Sequence, residues 1–89
     1  MQAVSIIVSG RVQGVWFRKC TSDKAIELGI SGTVKNLPKG DVQIEAIGTK
    51  DQLELFEKWC WTGSPLSKVE TVKVTEIVLQ PTVGFSIVG

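Results

Sequence analysis

An α+β fold of the ferredoxin-like, split-βαβ kind, in which an antiparallel sheet carries two helices on one face, is what the periodicity of the chain predicts. Strand-type and helix-type patterns follow one another in the order β-α-β-β-α-β-β. The two middle strands are joined by Leu37-Pro38-Lys39-Gly40, whose turn chemistry makes them a hairpin. The order therefore holds two strand-helix-strand halves, and two such halves joined by a hairpin bury their apolar faces by packing both helices on the same side of one sheet.

Val4 to Ser9 is β-branched, places Val4, Ile6 and Val8 on one face, and reads as a mostly buried first strand. After a glycine- and arginine-bearing loop, Lys19 to Leu28 reads as a helix: Phe17, Thr21, Ala25 and Leu28 recur on one face, and Gly29 supplies the stop. Ile30 to Asn36 is the second strand, and Val42, Ile44 and Ala46 share the inner face of the third, which ends at Gly48. Thr49 and Gln52 have the spacing of a capping box, opening a second helix with Leu53, Phe56 and Cys60 flanked by Leu55 and Trp59 as its apolar stripe. Trp61 falls on that helix's polar side. Gly63-Ser64-Pro65 ends the helix, Val69 to Leu79 reads as a long strand with Val72 and Val74 inward, and Phe85 to Val88 as a short closing one.

The 89 residues suit one domain spanning 1–89, large enough for a single modest core, and a monomer is expected. A formal net charge of +1 with interspersed signs leaves no polybasic block for general nucleic-acid or membrane-surface binding. Any anion recognition has to be local. No apolar run has the length of a membrane span, and the expected location is the cytoplasm. Cys20 and Cys60 lack zinc or redox spacing and read as buried or half-buried thiols. The fold places them at one end of neighbouring helices, but axes about 8–10 Å apart usually hold Cα atoms beyond bridging range. The chain has 0 histidines, which removes the commonest general base and metal ligand.

The stretch most loaded with chemistry is Gly10-Arg11-Val12-Gln13-Gly14-Val15-Trp16-Phe17-Arg18. Glycines let consecutive N–H groups converge on one point, Arg11 and Arg18 are cationic forks, and a helix opening just after Arg18 adds its partial positive charge. From glycine and arginine alone, an anion-holding loop and a plain strand-to-helix turn are equal readings. Walker A and dinucleotide spacings are absent, and neither cysteine stands before an arginine as a phosphatase nucleophile does. The acidic pairs Asp41 with Glu45 and Glu54 with Glu57 read as solvated faces, with Glu54 and Lys58 as a surface pair.

The whole string from Gly10 to Arg18 resembles the signature of the acylphosphatase family. The likeness continues through Gly32-Thr33-Val34-Lys35-Asn36, Gly40-Asp41-Val42, Gly48 and Gly84-Phe85-Ser86-Ile87, so it covers nearly the whole chain. Trp16 and Thr33 depart from the family's usual residues. The resemblance implies the same ferredoxin-like fold and a metal- and cofactor-independent hydrolysis of acyl phosphates, with inorganic phosphate as product and inhibitor. It implies that Gln13, Gly14, Val15, Trp16, Phe17 and Arg18 hold the phosphoryl group and that Arg18 and Asn36 are catalytic. Read alone, Asn36 is a strand-end residue that favours turns. The family assigns it the attacking water, a role its amide suits because it can donate and accept at once.

A non-catalytic module for RNA or a small anionic ligand is the alternative, since ferredoxin-like domains serve many functions. Such a sheet would show aromatics on its central strands, and Val42 to Ile47 has none. The topology makes the first and second strands co-directional, which brings Arg18 and Asn36 to one sheet edge, with Gly63 to Lys68 as a further rim.

Overall fold

A computed structural model describes residues Met1 to Gly89. Its elements follow the expected order: β1 (Gln2–Arg11), α1 (Phe17–Leu28), β2 (Ser31–Asn36), β3 (Val42–Gly48), α2 (Lys50–Thr62), β4 (Lys68–Glu76) and β5 (Phe85–Ile87). One sheet holds the strands in the order β4-β1-β3-β2-β5. Its first four strands pair antiparallel, whereas β5 runs parallel to β2, so the sheet is mixed at that edge.

Alternation decides the layers. Val4, Ile6 and Val8 of β1, Val34 of β2, and Val42, Ile44 and Ala46 of β3 are all buried, and they meet Phe17 and Ala25 of α1 and Leu53, Phe56 and Cys60 of α2 in one cluster. Phe56 joins the helix layer to β5 by meeting Phe85 edge-on at 6.2 Å. One terminus of each helix is capped as the sequence predicts, the last turn of α1 and the first of α2. The Gly29 N–H reaches the carbonyls of Ala25 and Ile26, while the Thr49 hydroxyl accepts from the Gln52 N–H and the Gln52 side chain accepts from the Thr49 N–H at 2.8 Å.

Several boundaries shift for identifiable reasons. β1 continues through Gly10 and Arg11 because β4 pairs with them after a bulge, in which Glu70 is the extra residue. That extra residue puts Val69 and Val72, three apart, both on the core. Val74 is 37% exposed on the sheet's outermost strand, and β4 stops at Glu76, short of Leu79. Helix α1 opens at Phe17, two residues early, because Trp16 turns the chain in a left-handed conformation. Leu55 is exposed, leaving α2 a narrower stripe than expected, and the chain's ion pairs are Lys19 with Asp23 and Lys24 with Glu27 rather than Glu54 with Lys58. Both thiols are free, and burial pushes that of Cys60 up to about 12.

Gly32 shows why the second motif opens on glycine. Its φ is 141°, and a β-carbon there would stand 1.8 Å from the Glu45 carbonyl oxygen on β3. At Gly40, with φ 103°, a β-carbon would meet nothing within 4 Å. Gly32→Ala is therefore expected to destabilise the fold by about 3 kcal/mol or more, through a clash with paired backbone, and Gly40→Ala by about 1 kcal/mol, through backbone strain alone. Urea unfolding midpoints of the two variants check this; equal midpoints would contradict it.

Candidate active site

β3 runs antiparallel to both β1 and β2, so those two strands point the same way and end at one edge. The segment from Val12 to Trp16 follows β1 there, and Asn36 is the last residue of β2. A cavity of about 450 Å³ opens between them, walled by Val12, Gly14 and Trp16 of the loop, by Phe17, Arg18 and Lys19 of the first turn of α1, and by Asn36 and Ile87. The expected meeting of Arg18 and Asn36 is thus realised in one concave site.

The loop is held from both sides. Gln13 donates from its side-chain nitrogen to the carbonyls of Leu37 and Asp41, both at 2.8 Å, which ties the loop to the β2–β3 turn beside Asn36. From behind, the buried Ser64 hydroxyl donates to the Val15 carbonyl at 2.7 Å. Val15 and Phe17 are buried, and Trp16 between them is 73% exposed with φ 64° and ψ 17°. A left-handed conformation in a residue other than glycine costs roughly 1–3 kcal/mol and persists where its surroundings impose it.

What these anchors leave free is a run of donors. The amides of Gln13, Gly14, Val15 and Trp16 donate to no protein group, and those of the next three residues open a helix, where no intrahelical acceptor exists. The first turn of α1 carries no acidic residue, so its positive end is uncompensated. Arg18 is half-buried and takes part in neither ion pair, whereas Lys19 is bound to Asp23 at 2.8 and 3.0 Å. No carboxylate lines the cavity. Asn36 lines the same cavity as Arg18, and its side-chain oxygen is buried without a hydrogen-bond partner. Its amide nitrogen takes part in no hydrogen bond to the protein and is not among the fully buried polar atoms. An orphaned buried acceptor costs on the order of 1–3 kcal/mol, and a guanidinium, free amides and a helix start in one place have the chemistry to receive a small anion.

The match of this chain to the acylphosphatase family model runs over residues 4–87. The chain belongs to the acylphosphatase family. It is 41% identical over 85 residues to an acylphosphatase of Xanthomonas oryzae pv. oryzae, spanning 96% of this chain and 97% of that protein. Its fold superposes on the crystal structure of acylphosphatase from Bacillus subtilis with a TM-score of 0.97 at 42% identity and complete coverage of both chains. An acylphosphatase from Coxiella burnetii matches with a TM-score of 0.93 at 40% identity, over 97% of this chain and 90% of that one.

Within this acylphosphatase fold the signature residues divide their work. Gly14, Trp16, Phe17 and Arg18 line the cavity, whereas Gln13 and Val15 do not: the Gln13 side chain is bonded to the β2–β3 turn and Val15 is buried. Gly10 and Arg11 belong to β1, with Arg11 opposite Lys68, so neither lies in the loop. Gly63 to Lys68 buttresses the loop through Ser64 and does not form the rim that the topology suggested. Ile87 was not legible as a wall residue, because its place follows from the parallel pairing of β5 with β2. No three histidine, cysteine, aspartate or glutamate side chains come together in metal-binding geometry.

Removing the Gln13 amide takes one of two donors from each carbonyl, leaving Leu37 with the Gly40 N–H and Asp41 with the Leu37 N–H, and frees the loop from the hairpin. Gln13→Ala should cost about 2 kcal/mol of stability and weaken inorganic phosphate binding as well. Chemical denaturation and phosphate titration test it, and a variant that keeps full phosphate affinity would show the loop to be ordered without this clamp.

Proposed function

We propose that this chain is a hydrolase of acid anhydrides that cleaves acyl phosphates to a carboxylate and inorganic phosphate, with Arg18 and the Gln13–Arg18 backbone holding the phosphoryl group and Asn36 directing the water. The observation that carries the site assignment is the convergence, in one cavity without a carboxylate, of an unpaired guanidinium, a run of unbonded amides and an orphaned asparagine amide. An acyl phosphate is an activated anhydride whose leaving group is a stable carboxylate. Positioning and charge stabilisation therefore suffice, and a site without histidine is adequate.

The phosphoryl oxygens take the loop amides and the planar Arg18 fork, which can hold two oxygens at once. Asn36 orients a water in line with the bond between phosphorus and the acyl oxygen. The water oxygen bonds to phosphorus, that bond breaks with its electron pair leaving on the carboxylate, and the water's proton passes to a phosphoryl oxygen. No metal or organic cofactor takes part. Inorganic phosphate, as product, occupies the same seat and competes with substrate.

One copy completes the cavity, which supports action as a monomer, and two free thiols suit the cytoplasm. No helix is long and apolar enough to cross a membrane. Nucleic acid is not a partner on this reading: the chain's aromatics sit in the loop, on the helices and on β5, so β1 to β4 offer no platform for stacking bases.

Arg18→Ala should lower turnover by on the order of a hundredfold or more and weaken phosphate inhibition in parallel, with Arg18→Lys failing to restore either, since a point charge does not replace a fork. Initial rates with an acyl phosphate, with and without inorganic phosphate, measure both effects. Near-normal phosphate affinity in the alanine variant would remove Arg18 as the anchor.

Asn36→Ala should instead lower the turnover number by roughly two to three orders of magnitude while phosphate inhibition stays close to normal, because a misplaced nucleophile affects attack and not anchoring. Asn36→Asp keeps the size and adds a negative charge beside the anion, so it should harm binding and turnover together. Loss of phosphate affinity in proportion to turnover in the alanine variant would contradict the water-positioning role.

A further inference from the structure

We infer that the apolar wall formed by Trp16 and Ile87 is a subsite for the acyl group, which makes this chain selective for acyl phosphates with a planar, apolar acyl group. The inference rests on the acyl-phosphate reading and adds the substrate class. The cavity of about 450 Å³ is far larger than the phosphoryl group needs. Four oxygens at roughly the 30 Å³ that a liquid water takes fill on the order of 120 Å³, and what remains is room for the organic part of the substrate.

The chemistry of that remaining room is set by elimination among the residues that face it. Arg18 and the loop amides are taken by the phosphoryl group and Asn36 by the water. Lys19 is the other cation in the wall, and Asp23 already neutralises it through two oxygens at 2.8 and 3.0 Å, so it exerts little pull on a second anionic group. No carboxylate is present to select a cationic acyl group. Trp16 and Ile87 remain, with Val12 and Phe17 nearly enclosed beneath them.

Trp16 itself shows the conflict that a role in binding resolves. Its backbone is left-handed, a conformation glycine adopts freely, and its indole is 73% exposed with no hydrogen bond to the protein. Ile87, 44% exposed, is brought to the same cavity by the parallel pairing of β5 on β2. An indole face and an aliphatic side chain are complementary to a flat apolar group, whereas a two-carbon acyl group presents little surface to either.

The test compares kcat/KM for benzoyl phosphate with kcat/KM for acetyl phosphate in the unmodified protein and in Trp16→Gly, Trp16→Asn, Trp16→Phe and Ile87→Ala. Glycine and asparagine both tolerate the left-handed backbone, and the active fraction of each preparation cancels in the ratio of the two substrates. The benzoyl-to-acetyl ratio should fall about fivefold or more in Trp16→Gly and Trp16→Asn and fall in the same direction in Ile87→Ala, while Trp16→Phe keeps most of it. An unchanged ratio, with both substrates slowed equally or not at all, overturns the subsite and leaves the acyl-phosphate reading standing. Failure of the unmodified protein to hydrolyse either substrate overturns both.

Discussion

The site depends on β3. Because it pairs antiparallel with β1 on one side and β2 on the other, the two outer strands are forced to run the same way, with Val8 and Asn36 both in register with Val42. A loop following one strand and a residue ending the other then have to emerge at a common edge. The crossover through α1 starts at that same edge, so loop, helix terminus and Asn36 converge without any one of them being long. The Gln13 clamp refines this convergence by fixing the loop to the turn that follows Asn36.

The chemistry of the site consists of groups left without partners, and such groups weaken a fold. An unpaired guanidinium, a buried amide oxygen without a donor and a helix start without an acidic residue are each mildly unfavourable in the free protein. Their cost is offset elsewhere, by a core in which Ile6, Val8, Val34, Val42, Ile44 and Phe56 are almost wholly removed from water. On the proposed function, the same unmet donors need no reorganisation to meet the phosphoryl group, which is the condition for strong electrostatic stabilisation.

Residues whose role is set by local periodicity were legible in the sequence. Val4, Ile6 and Val8, the hairpin turn, the Thr49 box and the Gly29 stop all depend on neighbours within a few positions, and they stand where the pattern put them. Residues whose role is set by pairing between distant segments were not. Ile87 reaches the cavity only because β5 docks parallel on β2, and Gly63 to Lys68 supports the loop from behind through a hydrogen bond spanning 49 residues. Gly10 belongs with these: it reads as part of the loop, yet its φ of 117° serves a close approach to the Lys68 carbonyl across the bulge. That Arg18 and Asn36 meet at one edge was legible from strand direction, which needs only element order, whereas the reading of Asn36 as more than a strand-end residue came from the family resemblance.

The left-handed turn at Trp16 follows from demands on its neighbours. Val15 and Phe17 both belong to the core, and the chain between them has to change from loop to helix within one residue. Val15 is fixed through its carbonyl by Ser64, and Phe17 by its ring, which lies 5.6 Å from that of Trp59 and against Gly63, where a β-carbon would approach the ring to 2.9 Å. The Trp16 carbonyl is committed to the Cys20 N–H at 3.0 Å, the first bond of α1. With both flanking side chains and its own carbonyl fixed, the backbone of residue 16 has no room to relax, and its side chain can point only outward over the cavity. The strain is therefore imposed by core packing, and it orients the one exposed aromatic side chain that lines the cavity.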